Sequence, residues 1–256
     1  MNIFDNSLLL SFSTQEILSA MLLFMWAGFV RSGLGFGGAA LGLPLMLFIY
    51  DQPLFWLPII GTHLLFFSGM TLRTRIHNVD WSYLKISSIY IVPAALVGVF
   101  GLITLPSELL VFFIYGITLF YALLWMFNIS IHSSRGWTDK MLLAFGGYVA
   151  GTSLTGAPLM VAVFMRNVAR DQLRNTLFVL WFVLVSIKMM TFWLFDVPLH
   201  FISALLLIPL ASIGHVLGLR AHDYILHNDV LFKRVVGVFL MLVCLIGIAH
   251  HIKLPN

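Results

Sequence analysis

The chain has 256 residues, of which 61% are hydrophobic and only 9% are charged, and its mean hydropathy is +1.01. A soluble domain carries roughly 25% charged residues, so this composition excludes a water-soluble fold and predicts an all-α protein that crosses the lipid bilayer several times. The formal net charge of +4 does not indicate a nucleic-acid partner, because the basic residues are spread over short connections and form no patch.

The first apolar region is broken in its middle. It runs over residues 15–30 and 39–50, and the break contains Arg31 within a cluster of glycines. The residues before this region include Asp5 and Glu16 and contain no basic segment, so we expect no cleavable signal peptide. A break of this kind predicts a helical hairpin, here residues 15–50, whose irregular backbone is buried in protein or lines a wet cavity.

Three uninterrupted apolar runs follow, at residues 54–72, 83–104 and 107–128. Each is long enough to form a transmembrane helix, since about 20 apolar residues span the hydrocarbon core. Thr62 and His63 are polar residues inside the first of these runs, near the expected depth of the break. They are candidates for completing an anion site, and His63 is also the candidate for moving a proton, because imidazole changes charge near neutrality.

The rest of the chain repeats this layout. A broken region is followed by three full-length runs, at residues 141–151 and 157–165 and then at 172–195, 199–219 and 231–250. The segment AGFVRSGLGFGGAALGLPLM (27–46) resembles GGYVAGTSLTGAPLMVAVFM (146–165), with an offset of about 119 residues. We therefore predict two repeats, residues 1–128 and 129–256, each with one hairpin (15–50 and 141–165) and three transmembrane helices.

The distribution of basic residues tests whether the two hairpins cross the bilayer. Lys and Arg accumulate in cytoplasmic loops. If both broken regions cross once, the two sides carry six basic residues each; if both turn back, eleven lie on one side and only Lys253 on the other, with Arg31 and Lys188 inside the membrane. The second distribution predicts re-entrant hairpins with both termini outside, and three crossings per half make the second repeat inverted relative to the first.

The two breaks form the tips of the predicted hairpins; residues 31–38 are termed the first tip and residues 152–157 the second tip. The half-helix after each tip begins with unpaired backbone N–H groups, which attract anions. Glycines let a ligand approach those groups, and Arg31 adds a permanent planar charge suited to sulfonate or carboxylate. The candidate anion-binding residues are Arg31, Ser32, Gly33, Gly35, Gly37, Gly38, Thr62, His63, Thr152, Ser153, Thr155, Gly156 and Lys188.

Structural roles are the alternative for several of these residues. Glycines in membrane helices also serve close helix packing. Arg31 and Lys188 have long side chains that would reach the membrane surface by snorkelling. His63 would form a hydrogen bond to a neighbouring helix. The sequence leaves these roles open beside the anion site.

Other sequence features indicate no cofactor or metal. The segment from Gly33 to Gly38 fits G-x-G-x-x-G, but no strand precedes it and no βαβ pattern surrounds it. His215, His222 and His227 match no metal-ligand spacing, and Cys244 is the single cysteine. All ten carboxylates lie at the ends of apolar runs or between them, so the sequence contains no conventional intramembrane proton relay or sodium ligand.

The two breaks, with the Thr-containing segments GTHLL (61–65) and RNTLF (174–178), resemble the sulfite exporter TauE/SafE family over essentially the whole chain. The sequence departs from the family pattern at two places. The second tip lacks several glycines that are usual there, and His63 stands where the family usually has a serine. The resemblance implies a permease of the bacterial cytoplasmic membrane that exports sulfite, organosulfonates such as sulfoacetate, or related anions. We expect alternating access driven by the membrane potential, with a small anion and the lipid bilayer as partners and no enzymatic activity.

Other functions remain open at this point. A small-anion channel is the nearest alternative, and a non-transporting membrane assembly subunit is a second. An intramembrane enzyme would need a nucleophile and a base at depth, and Ser153 with His63 is the pair that the sequence offers. The sequence also leaves open whether two copies form a homodimer.

Overall fold

The computed structural model describes residues 11–34, 38–129, 131, 135–227 and 229–253. These residues form ten α-helices and no strand, which confirms the predicted all-α class. The helices are α1 (Thr14–Leu34), α2 (Gly38–Met46), α3 (Pro53–Arg75), α4 (Trp81–Thr104), α5 (Ser107–Met126), α6 (Gly136–Ser153), α7 (Ala157–Asn167), α8 (Arg170–Leu194), α9 (Phe201–His227) and α10 (Asp229–Lys253).

Seven of the described helices are long and apolar enough to cross a membrane, so the chain is a multi-pass membrane protein. Six of them correspond to the six full-length runs expected from the sequence. The seventh is Thr14–Gly33, the first arm of the first hairpin. The re-entrant path of the two hairpins and the inverted relation of the repeats stay predictions. The seven helices are α1, α3, α4, α5, α8, α9 and α10.

One compact unit, termed unit A, covers Leu57–Thr104 and Ile131–Ala204 and so contains most of α3 together with α4, α6, α7 and α8. Its core includes the fully buried side chains of Ile91, Met160 and Phe164. Helices α4 and α6 approach each other at backbone distance, because a Cβ atom added to any of three glycines would overlap a backbone carbonyl of the other helix. The contacts are Gly98 with Tyr148, Gly147 with Ile91, and Gly151 with Ala95.

The other compact unit, termed unit B, covers the described residues of Asn6–Trp56, Leu105–Ser130 and Leu205–Asn256. It contains α1, α2, α5, α10 and most of α9, with Val30, Leu41 and Leu240 in its core. Helices α1 and α9 are in backbone contact through three glycines, as α4 and α6 are in unit A. The contacts are Gly28 with Ala211, Gly214 with Met25, and Gly218 with Phe29.

The contacts inside the two units follow the same sequence spacing. Gly28 of α1 and Gly147 of α6 are about 119 positions apart, and their partners Ala211 and Ile91 are about 120 positions apart. The same offsets relate a second pair of contacts, Phe29 with Gly218 and Tyr148 with Gly98. In each unit, therefore, the first arm of a hairpin packs against a helix from the other half of the sequence, and the contacts lie at equivalent positions of the two repeats.

Both hairpins fold back tightly because small residues stand where their arms meet. A Cβ atom on Gly38 would lie 2.8 Å from the carbonyl oxygen of Ala27 and 3.1 Å from the Arg31 Cβ. A Cβ atom on Gly156 would overlap the carbonyl oxygen of Gly146. The start of α2 therefore lies against the last turns of α1, and the start of α7 lies against α6.

Candidate functional site

The second tip joins α6 to α7 through a residue in the left-handed backbone conformation. Helix α6 ends at Ser153, and Leu154 follows with φ of 60° and donates its N–H to the carbonyl of Ala150. Helix α7 begins at Ala157 with Pro158 in its first turn, where the missing N–H of proline is no loss. Gly156 has an ordinary φ of −69°, so glycine is required there by the close approach of α6 and not by backbone conformation.

Three hydroxyl groups line the second tip, and all three residues are buried. Thr152 Oγ1 donates to the carbonyls of Tyr148 and Val149 at 3.2 and 3.1 Å, and Ser153 Oγ donates to Val149 at 3.0 Å. Ser153 Oγ also lies 2.6 Å from Thr155 Oγ1. Because the single hydroxyl hydrogen of Ser153 is used at Val149, Thr155 is the donor in that pair.

Lys188 brings a basic amine to the second tip. Its side chain is 1% exposed, and its Nζ donates to the carbonyl of Thr152 at 3.2 Å. Nζ also lies 5.9 Å from the centre of the Phe192 ring. An ammonium has three hydrogens, and Lys188 forms no ion pair within the described part of the chain. Lys188 is thus bonded to the last turn of α6, and the next residue, Ser153, is bonded to Thr155 in the second tip.

Thr62 and His63 have other hydrogen-bond partners. Thr62 Oγ1 donates to the carbonyl of Pro58 at 3.0 Å, one turn earlier in α3. His63 is buried, and its Nε2 donates to the carbonyl of Ala204 at 2.8 Å. This bond fits the structural role that the sequence left open for His63, and the role of both residues in an anion site stays a prediction.

The first tip is described only at its two sides, because Gly35 and Gly37 lie outside the described residues. Arg31 is half-buried in the last turn of α1, and Gly38 opens α2. Ser32 is buried and its Oγ donates to the carbonyl of Gly28 at 3.0 Å. These residues belong to unit B.

Two histidines of α9 bind the end of α1, a contact that the sequence did not reveal. His215 Nδ1 is hydrogen-bonded to Ser32 Oγ, and His222 Nδ1 donates to the carbonyl of Gly33 at 2.7 Å. The available signal was the spacing of seven residues, which puts both histidines on one helix face with Gly218 between them. The described residues contain no group of three or more side chains that could hold a metal ion.

A separate cavity of about 200 Å³ lies in unit B, and none of the predicted site residues lines it. Its walls come from the segment after α2, from α5 and from the last turns of α10. The lining residues are Leu47, Phe48, Ile49, Tyr50, Asp51, Tyr115, Gly247, His250 and His251.

Comparison with known proteins identifies the family of the chain. The family model of the sulfite exporter TauE/SafE matches residues 20–246, which include the second hairpin, most of the first hairpin and nearly all of the transmembrane helices. No curated protein and no solved structure matches the chain. The matched range covers well over half of the sequence, so the chain belongs to the TauE/SafE sulfite exporter family, a family of membrane transporters.

Proposed function

We propose that this protein exports small sulfur-containing oxyanions, such as sulfite or an organosulfonate like sulfoacetate, across the bacterial cytoplasmic membrane by alternating access. The observation that carries the proposal is the buried ammonium of Lys188 at the second tip. A cation inside a transmembrane helix is costly and usually marks a substrate or ion pathway. A bound oxyanion would neutralise it.

The surroundings of Lys188 suit an oxyanion rather than a cation. The backbone N–H groups at the start of α7 carry the positive end of a helix dipole. The hydroxyl hydrogens of Ser153 and Thr155 are used inside the second tip, at Val149 and at Ser153, so the anion would be held by the ammonium and by backbone N–H groups. Two hydrogens of the ammonium have no protein acceptor among the described residues, and oxygen atoms of a sulfite or sulfonate group would accept them.

The first tip would supply a second group of anion-binding residues, with Arg31 as its cation. The matching contacts of α1 with α9 and of α6 with α4 support the proposal that the two hairpins are equivalent parts of a repeated structure. Secondary transporters commonly use such repeats, with broken helices at the substrate site and rocking motions that expose it to either side.

The membrane potential provides a driving force that requires no intramembrane carboxylate. With the cytoplasm negative, about 100 mV drives each negative charge outward with roughly 2.3 kcal/mol, close to a fiftyfold gradient. All ten Asp and Glu residues fall at the ends of apolar runs or between them. Electrogenic anion export is therefore the coupling mode that the chain's own charges favour.

The test is the flux of sulfite and sulfoacetate from proteoliposomes with an imposed potential. We expect saturable, potential-dependent flux that falls at least tenfold in Arg31→Gln, because a charge-assisted hydrogen bond to the anion is worth about 1.5–3 kcal/mol. Arg220→Gln is the matched control, since Arg220 is exposed on α9. Its flux should equal that of the unmodified protein.

The other outcomes separate the alternatives. Flux that does not saturate and is insensitive to anion on the opposite side would indicate a channel. Absence of flux for every sulfur oxyanion, in protein that is folded and correctly inserted, would refute the proposed substrate class and favour an assembly subunit. Equal flux in Arg31→Gln and in the unmodified protein would remove Arg31 from the site and leave Lys188 as the cation to test.

A further inference from the structure

The contact between α1 and α9 differs from its counterpart between α6 and α4 at one pair of positions. In unit A, Gly151 of α6 faces Ala95 of α4, and the three atoms nearest to a Cβ atom added at Gly151 are backbone atoms of Ala95. At the same offsets of about 119 and 120 residues, unit B has Ser32 facing His215, joined by a hydrogen bond. A packing requirement alone is met by Gly and Ala, so it does not account for the serine and the histidine.

His222 adds a second bond, two turns further along the same face of α9. Gly33 is in the last turn of α1, where backbone carbonyls have no partner inside the helix. The imidazole N–H of His222 satisfies the carbonyl of Gly33 at 2.7 Å. Its counterpart position in α4 is Leu102, a buried aliphatic residue without a donor.

The two bonds act on the residues that flank Arg31. Ser32 and Gly33 follow Arg31 directly, and Gly38 packs against Ala27 and the Arg31 Cβ from the other side. Holding the Ser32 hydroxyl and the Gly33 carbonyl therefore fixes the direction in which α1 presents Arg31. Fixing a binding group before the ligand arrives raises affinity, because less ordering remains for the binding step.

We propose that His215 and His222 are positioning residues, which fix the end of α1 from α9 and thereby set the affinity of Arg31 for an anion. This inference rests on the proposed function of the first tip. Neither histidine needs to touch the anion. Their role is to restrict the motion of the turn that carries Arg31.

The counterpart contact in unit A supplies a well-matched test. The variant His215→Ala puts at position 215 the alanine that already packs at the counterpart position in unit A and leaves Ser32 in place, so the variant is expected to fold. His222→Leu does the same at the second bond, and His222→Asn restores a donor close to the position of Nδ1. Each variant is assayed for sulfite flux, giving KM and maximal rate, and for amide hydrogen exchange over residues 28–34 in detergent without substrate.

We expect faster amide exchange at residues 28–34 in His215→Ala and in His222→Leu. We also expect KM to rise by up to about tenfold with a maximal rate within about twofold, as for the loss of one partly buried hydrogen bond. His222→Asn should recover most of both effects. A residue needed only for folding would lower the amount of active protein and the maximal rate, without a selective change in KM.

Two results would overturn the inference. The first is unchanged exchange at residues 28–34 in both variants, which would show that the bonds do not fix this turn. The second is faster exchange with unchanged KM in an active transporter, which would separate the turn from anion affinity. If the unmodified protein transports no sulfur oxyanion, the proposed function fails, while hydrogen exchange still decides whether the histidines fix the end of α1.

Discussion

Replacing Lys188 with Met should separate anion binding from stability. The two side chains are similar in length, so the change removes the charge and its hydrogen bonds with little loss of volume. A charge-assisted hydrogen bond to a bound anion is worth about 1.5–3 kcal/mol, so anion affinity should fall by roughly 10-fold to 150-fold. Loss of the hydrogen bond from Nζ to the Thr152 carbonyl should cost a free energy of the same order.

The effect of Lys188→Met on the unfolding temperature should be small or slightly favourable. A lysine at the centre of a membrane helix costs about 2.5–3.5 kcal/mol on insertion scales, and Lys188 has one protein hydrogen bond and no ion pair among the described residues to offset that cost. Removing the ammonium therefore offsets the loss of the bond to Thr152. We expect Lys188→Met to unfold at the same temperature as the unmodified protein or a few degrees higher.

The assay is thermal unfolding of the purified protein in detergent, with and without sulfite or sulfoacetate. An anion that binds the folded state raises the unfolding temperature of the unmodified protein, and this increase should be lost in Lys188→Met. Lys85→Met is the control, because Lys85 is exposed near the start of α4. The reasoning is refuted if Lys188→Met keeps the anion-induced increase. A large drop in unfolding temperature without anion would instead assign Lys188 to the structure of the second tip.

Two further predictions concern packing and topology. Gly151→Ala places a methyl group on the backbone carbonyl of Ala95, so the unfolding temperature in detergent should fall by several degrees. Gly116→Ala, where a Cβ atom meets nothing within 4 Å, should leave it unchanged or slightly raised; equal effects would contradict the close α4–α6 contact. For topology, single cysteines are placed in a Cys244→Ala background at Leu105 and Trp137, which are 42% and 69% exposed. A membrane-impermeant maleimide should label Leu105→Cys on intact cells and Trp137→Cys only after permeabilisation; the reverse pattern would reject the predicted orientation.

Local sequence signals were sufficient for the helices and for the places where two of them break. Apolar length predicts the long helices, and the clustered small residues mark both tips. The ends of the helices were predicted less accurately than their existence, because apolar content does not mark where a helix begins or ends. Helix α1 continues past residue 30 to Leu34, and Ser32 satisfies its hydroxyl inside this helix by donating to the Gly28 carbonyl, so a polar residue does not end the helix there. Helix α6 begins at Gly136, where Thr138 caps the first turn although that turn is not apolar.

The partners of polar side chains were not predictable from the sequence, because those partners lie far away along the chain. Ser32 and His215 are separated by 183 residues, and His222 and Gly33 by 189. A histidine on an apolar helix indicates only that a partner is needed. The choice between a metal, a backbone carbonyl and a hydroxyl requires the packing of α1 against α9. The same holds for Lys188, whose hydrogen bond joins it to a carbonyl 36 residues earlier.

The pairing of each hairpin arm with a helix from the other half has a consequence for how the protein is made. Helix α1 is inserted into the membrane long before α9 is synthesised. The new hairpin therefore has to persist without the helix that will later pack against the face of α1 that contains Gly28. A nascent chain that stops after α5 leaves that face of α1 open to lipid or to other chains. Maturation is therefore a late event, completed only when α9 has been inserted.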